Sequence, residues 1–320
     1  MKWYIIVNPT SKGGIAKQLW NDISSELKHQ NFSFEFAFSQ KPFEIVSLAR
    51  QAVQNGYTKI MVVGGDGSLN EAANGILTQS VIDSKEITIA NIPLGIGNDW
   101  GKMYDNPVNF KESIAMIKAE KNVILQDAGY LHFPGNENNS RYFVNIAGFG
   151  FDAVVLKDVL AGKEKGKSGT FVYLTKLFTN LMRSGYYKAN IEYENLKKNR
   201  TVFNITAGIC RYNGNGMLQL PFADPFDGLL DVSIVSKISK LKVLANVSRL
   251  FDGTYIRLKE VEMLKCKTLK IDSEKALAVE ADGEFLGYSP VEISLIPKCL
   301  KMIVNNIELK VNPKVEKYVS

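Results

Sequence analysis

The run Gly64-Gly65-Asp66-Gly67-Ser68-Leu69-Asn70-Glu71 combines residue types suited to phosphate chemistry. An apolar stretch at 59–63 reads as a buried strand before it, and a helical pattern at 68–77 follows. Glycine adopts positive φ and lets a phosphate approach the backbone closely. The freed N–H groups and the start of the helix then make an anion site. Ser68 with Glu71 reads as a capping box that starts the helix at Ser68. Asp66 would repel a phosphate unless a cation stands between them, and magnesium is the simplest such cation. The plain alternative is an ordinary glycine-rich turn.

Two companion loops follow other strand-like runs. Asn8-Pro9-Thr10-Ser11-Lys12-Gly13-Gly14 comes after 3–7, and Pro93-Leu94-Gly95-Ile96-Gly97-Asn98-Asp99 comes after 87–92. The first lacks P-loop spacing, yet its hydroxyls, lysine and backbone suit phosphate. Loops at neighbouring strand ends of one parallel sheet converge on one crevice.

Later in the chain, Asp282-Gly283-Glu284 closes a strand-like stretch at 275–280. Transfer of a phosphoryl group to a hydroxyl needs a base for the hydroxyl's proton, and either carboxylate would serve. The tripeptide also suits a plain Asp-Gly hairpin turn. Asp224 and Asp227, in Ala223-Asp224-Pro225-Phe226-Asp227-Gly228-Leu229, suit either a turn or a hard cation held by carboxylate and backbone oxygens. Gly148-Phe149-Gly150-Phe151-Asp152-Ala153 fits a dinucleotide fingerprint, but it lies outside the alternating region and is read as a coincidence. Lys163-Glu164-Lys165-Gly166-Lys167 precedes an aromatic-rich helical pattern at 169–183, which suits a lipid interface or a helix packed on the core.

The elements that must position these groups change character near residue 125. Before it, strand-like runs at 3–7, 32–38, 59–63 and 87–92 alternate with helical patterns at 15–27, 43–53, 68–77 and 109–119, implying a mainly parallel sheet. Beyond it most segments read as strands, at 141–147, 187–193, 201–210, 229–235, 268–271, 276–280 and 291–296, with helical interruptions near 169–183 and 241–250. The expected fold is an α/β domain over 1–125 followed by a mostly antiparallel β-sandwich over 126–299. The segment at about 300–320, with a strand at 301–304, is expected to return to the first domain.

Composition narrows the function classes. The 320 residues are 45% hydrophobic and 22% charged, with 39 basic and 33 acidic side chains, a net charge of +6. That excess suits a nucleotide or an anionic lipid surface and is too weak to argue for nucleic acid. Three scattered cysteines and two histidines argue against a disulfide framework, a zinc site or a Ser-His-Asp triad, and fit a reducing cytoplasm. No signal peptide and no apolar run long enough to span a membrane are read.

In order along the chain, Asn-Pro-x-Ser, Gly-Gly-Asp-Gly-Ser-Leu-Asn-Glu and Pro-Leu-Gly-x-Gly-Asn-Asp resemble the catalytic domain of diacylglycerol kinases and bacterial lipid kinases, shared by sphingosine and ceramide kinases. Asp127-Ala128-Gly129, 145–152, 223–231 and Asp282-Gly283-Glu284 extend the resemblance over nearly the whole chain. It implies an ATP-dependent kinase of the NAD kinase/diacylglycerol kinase-like fold, with its site between the domains. Asn8, Pro9, Thr10, Ser11, Lys12, Ser39, Gly65, Asp66, Gly67, Ser68, Leu69, Asn70, Glu71 and Ile96 would contact ATP. Asp227, with the backbone near Asp224 and Leu229, would hold Mg2+, and Asp282 or Glu284, beside Asp66, would do the chemistry. Ile96 replaces a usual threonine, and Lys12 a common glycine. The expected partner is a lipid at the inner face of the membrane, diacylglycerol first; a homodimer is left open. A soluble-substrate kinase of the NAD kinase type, or a non-catalytic relative, are the alternatives.

Overall fold

The computed structural model describes residues 1–164 and 178–316, so most of the aromatic-rich pattern expected at 169–183 lies outside the described residues. The first lobe runs β1 (Trp3–Val7), α1 (Ser11–His29), β2 (Phe34–Phe38), α2 (Glu44–Gln54), β3 (Lys59–Gly64), α3 (Asp66–Leu77), β4 (Thr88–Pro93), α4 (Asp99–Met103) and α5 (Phe110–Ala119). Its strands lie in the order β2-β1-β3-β4, all parallel. Successive strand residues face opposite sides. Ile6, Ile60 and Val62 pack with Ile45 of α2 and Leu69 of α3. Ile5, Val7, Met61 and Val63 pack with Trp20 of α1 and Ile114 of α5. Helices on both faces are why these strands read as unbroken apolar runs.

The second lobe continues with β5 (Asn122–His132), β6 (Arg141–Phe143), β7 (Ile146–Gly150), α6 (Phe151–Glu164), β8 (Tyr187–Tyr193), β9 (Leu196–Gly208), β10 (Tyr212–Asn213), β11 (Met217–Leu218) and β12 (Leu230–Ser236). Then come α7 (Lys240–Asn246), α8 (Arg249–Asp252), β13 (Val261–Cys266), β14 (Thr268–Ser273), β15 (Ala278–Ala281), β16 (Glu284–Tyr288) and β17 (Val291–Val304). Pairing here is antiparallel, and β9 branches: its first half pairs β8, its second half pairs both β7 and β12. The result is the expected β-sandwich.

Strand β17 joins the lobes. Its first part pairs β14, it runs along β5 for most of its length, and Lys301 and Met302 pair in parallel with Thr88 and Ile89 of β4.

Three local readings differ from the structure. The helix α6 was not foreseen, because Phe151–Glu164 has weak amphipathic contrast and follows a strand without a turn cluster. The single helix expected at 241–250 is two short ones, α7 and α8. The strand expected at 141–147 is broken after Phe143, and that break turns out to matter for the site.

Candidate active site at the junction of the lobes

The glycine-rich loop after β3 is set by backbone packing. A Cβ on Gly65 would lie 2.9 Å from the Cα of Gly95, and one on Gly95 would lie 2.7 Å from the Cα of Gly65. The loops after β3 and β4 therefore touch backbone to backbone, which side chains at either position would prevent. The loop after β1 joins them. The side-chain amide of Asn8 donates to Ser68 Oγ at 2.9 Å, while Asn8 Oδ1 accepts from the Thr10 N–H and hydroxyl at 3.1 and 2.8 Å. Lys12, Gly13 and Gly14 all have positive φ, at 50°, 71° and 96°. The three loops expected to converge do so.

The capping-box reading is overturned. Helix α3 begins at Asp66 with Gly65 as its N-cap, so Ser68 lies inside the first turn and faces Asn8. Glu71 instead accepts the Ile45 N–H at the start of α2, 3.3 Å away. The first α3 backbone bond runs from Leu69 N–H to Gly65 C=O. The N–H groups of Asp66, Gly67 and Ser68 thus have no intrahelical acceptor and point out of the helix start.

Asp66 spans two loops. Its oxygens accept the N–H groups of Asp99 and Trp100 at 3.0 and 3.2 Å, at the start of α4. Burial, with the Asp99 and Asp282 charges, pushes its carboxyl up to about 6, against the pull of those two N–H groups. A Cβ on Gly97 would lie 3.1 Å from Asp99 Oδ2 and 3.5 Å from Asp66 Oδ2. Two carboxylates thus converge under a bare glycine beside the phosphate loop, where an Mg2+ brought in on the nucleotide's phosphates would meet them. Asp99 was not singled out from the sequence as a site residue, although its loop was; its oxygens also take the Asn215 N–H (2.7 Å) and Lys102 Nζ (3.3 Å).

The hairpin between β15 and β16 supplies the opposite wall. Ala281 pairs Glu284, so the turn is Asp282-Gly283, both at positive φ (48° and 82°). The plain hairpin reading and the functional one thus both apply to the same residues. Asp282 is 8% exposed and its carboxylate is saturated. It accepts from Val144 N–H (2.7 Å), Asn145 N–H (3.1 Å), Ile146 N–H (3.0 Å) and Asn70 Nδ2 (2.6 Å). The first three donors are the N–H groups freed where the strand breaks between β6 and β7. Glu284 is bound through one oxygen to Arg141, whose other nitrogen donates to Asn70 Oδ1 at 3.0 Å. Burial pushes the Glu284 carboxyl up to about 7, opposed by Arg141 and reinforced by Glu71 and Asp282. Asn70, in the glycine-rich motif, thus touches both Asp282 and the partner of Glu284. Arg141 carries no local sequence signal; only the tertiary fold brings it here.

The remaining expected contacts divide. Ser39 is buried, with its N–H on Val7 C=O. Ile96 is 73% exposed on its loop. The Leu69 side chain is in the core, so only its backbone faces the loop. Asp224, Asp227 and Leu229 belong to a separate cluster. Asp227 Oδ1 accepts the Leu229 N–H at 2.9 Å and Oδ2 accepts Lys265 Nζ at 2.7 Å, while Asp224 accepts the Phe226 N–H. Lys265 also lies 3.3 Å from Asp231. A hard cation at Asp227 has to displace that ammonium, so these residues as they stand do not fit a metal. The dinucleotide-like fingerprint does span the β7–α6 junction, but β7 has antiparallel neighbours and a Cβ on Gly148 would lie 2.7 Å from Glu280 Oε1. The space a cofactor would need is filled.

Comparison with known proteins identifies the family. Residues 2–127 match the diacylglycerol kinase catalytic domain, and residues 145–304 match the YegS C-terminal NAD kinase beta sandwich-like domain. The chain belongs to the diacylglycerol kinase family. This family member is 26% identical over 301 residues to a diacylglycerol kinase of Mycobacterium tuberculosis, covering 93% of each chain. It is 28% identical over 287 residues to a diacylglycerol kinase of Staphylococcus carnosus, covering 89% of each. The crystal structure of a diacylglycerol kinase from Bacillus anthracis superposes on the family member with a TM-score of 0.71 at 21% identity, covering 95% of this chain and 97% of that one. No helix among the described residues is long and apolar enough to cross a membrane.

Proposed function

We propose that this chain is an ATP-dependent lipid kinase, acting at the cytoplasmic face of the membrane, that phosphorylates diacylglycerol to phosphatidic acid. The observation that carries the reading is the Asn70 junction: one side chain of the phosphate loop binds both Asp282 and the Arg141 that holds Glu284.

In this reading the helix start at Asp66–Ser68 and the loops carrying Asn8–Lys12 and Ile96 hold the phosphates, with Ser39 beside them. Magnesium, when bound, supplies charge neutralisation beside Asp66. Asp282, with every oxygen engaged, holds the hairpin in place, and Glu284, with one oxygen not bound to Arg141, is the base. It takes the proton of the lipid hydroxyl as that oxygen bonds to the γ-phosphorus and the bond to the ADP oxygen breaks.

The test is transfer of label from radioactive ATP to diacylglycerol in anionic vesicles, assayed beside NAD. Wild type is expected to label the lipid, and Glu284→Gln to lose about 10²–10⁴-fold. Asp66→Asn, which keeps the side-chain volume, should also fall by at least tenfold. Labelling of NAD without lipid, or full activity of Glu284→Gln, would overturn the reading.

A further inference from the structure

We propose that Arg141 is a positioning residue for phosphoryl transfer, holding Glu284 as a correctly oriented carboxylate and tying it to the phosphate loop. The inference rests on Glu284 being the base. Arg141 opens β6, its side chain is 15% exposed, and it meets groups from two elements and from the turn before a third. One nitrogen pairs with Glu284 of β16, another donates to Asn70 Oδ1 of α3, and the guanidinium sits 5.7 Å from the centre of the Phe43 ring before α2. The planar fork of arginine holds the carboxylate and the amide in one fixed geometry, which the single flexible ammonium of lysine does not impose.

The strand that carries Arg141 is itself fixed to α3. Asn74 accepts the Tyr142 N–H at 2.9 Å and donates back to Tyr142 C=O at 2.9 Å, while Asn70 donates to the same carbonyl at 3.1 Å. Two side-chain amides thus act as a strand partner for β6, so the phosphate loop, Arg141 and Glu284 move as one body.

The charges around Glu284 make Arg141 decisive. From α3 it faces Glu71, and from its own turn Asp282, both of which oppose its ionisation. On the α6 side, Asp152 lies against Gly148 and Lys157 is committed to the rings of Phe285 and Tyr288. Arg141 is the cation whose attraction opposes burial at Glu284. Without it, burial and the two neighbouring acids act on Glu284 unopposed and favour the protonated form, which cannot accept the hydroxyl proton.

The experiment uses the full chain labelled with ¹³C at glutamate Cδ, with the Glu284 resonance assigned by its loss in Glu284→Gln. Its midpoint in wild type, Arg141→Gln and Arg141→Lys is read without substrate, alongside the pH profile of kcat. Arg141→Gln should raise the midpoint by about one unit or more and move the acid limb of the profile with it. Arg141→Lys, which keeps the charge, should restore most of the midpoint while leaving kcat reduced at every pH. It also serves if the glutamine variant folds poorly. An unmoved midpoint and acid limb in Arg141→Gln, with Glu284→Gln inactive, overturns the role of Arg141 alone. Full activity of Glu284→Gln sinks the base assignment and this proposal with it.

Discussion

Four neighbouring acids differ in what surrounds them, and their environments sort their roles. Asp66 and Asp282 have every oxygen engaged by donors, so they act as anchors for the elements they touch. Glu284 has one oxygen beyond its arginine. Glu280, 3% exposed, is the outlier: among the described residues it receives only the Gly283 N–H at 3.2 Å and a long contact of 3.5 Å from Asn213 Nδ2. Burial first, then the Asp152 charge, push its carboxyl up to about 8. The folded state therefore holds a proton on Glu280 that the unfolded chain releases near the ordinary value of 4.5. Between those values the native state binds more protons, so stability falls as pH rises from about 4.5 to 8 and levels off above. Glu280→Gln keeps the neutral shape and removes this loss. Relative to wild type, its unfolding free energy should improve between pH 5 and about pH 8 and level off above, by at most about 1.4 kcal/mol per pH unit at the steepest. Parallel curves for the two proteins across that range would show that Glu280 titrates normally.

Elements were legible where one sequence pattern had one physical cause. The buried parallel strands and the three loops at their ends could be read from apolar runs and glycines, because helices cover both faces and the backbones touch at Gly65 and Gly95. The capping box misled because its Ser-x-x-Glu pattern took no account of Asp66, which begins the helix two residues earlier. The Asn70–Arg141–Glu284 joint was invisible because it spans 214 residues of sequence and three elements. The cation expected at Asp227 shows the same limit. On the β12–β13 ladder Asp231 lies directly opposite Lys265. Cross-strand neighbours of opposite charge attract, and here the lysine also reaches Asp227. Asp231 is buried enough for its carboxyl to be pushed up to about 6 despite that lysine. Wild type without nucleotide should therefore melt at the same temperature in EDTA and in millimolar Mg2+. Lys265→Met strands two carboxylates, one of them buried, and, the lysine being 37% exposed and screened by solvent, should cost about 1–2 kcal/mol. Mg2+ should then recover part of that loss in the variant. A wild-type midpoint that rises with Mg2+, with the rise lost in Asp227→Asn, would return the metal to Asp227.

At the scale of the whole molecule, the two lobes are not beads on a linker. Strand β17 pairs β14 and β5 in the second lobe and supplies β4 of the first with its parallel neighbour. Near its end, Met302 and Ile303 are fully buried, one in each of the two main cores. Helix α3 adds a second joint through the amides of Asn70 and Asn74 on β6. Opening either lobe alone would strip β4 of a neighbour and leave apolar side chains from both cores in water. That penalty falls on both lobes at once, which is the condition for cooperative unfolding. Calorimetry of the full chain should give one transition, with calorimetric and van't Hoff enthalpies agreeing within error. A chain ending at residue 290 keeps every first-lobe strand but lacks β17, and it should fail to give a folded first lobe. Two separated transitions in the full chain, or a well-folded first lobe without β17, would show that the sheet is shared in geometry but not in energy.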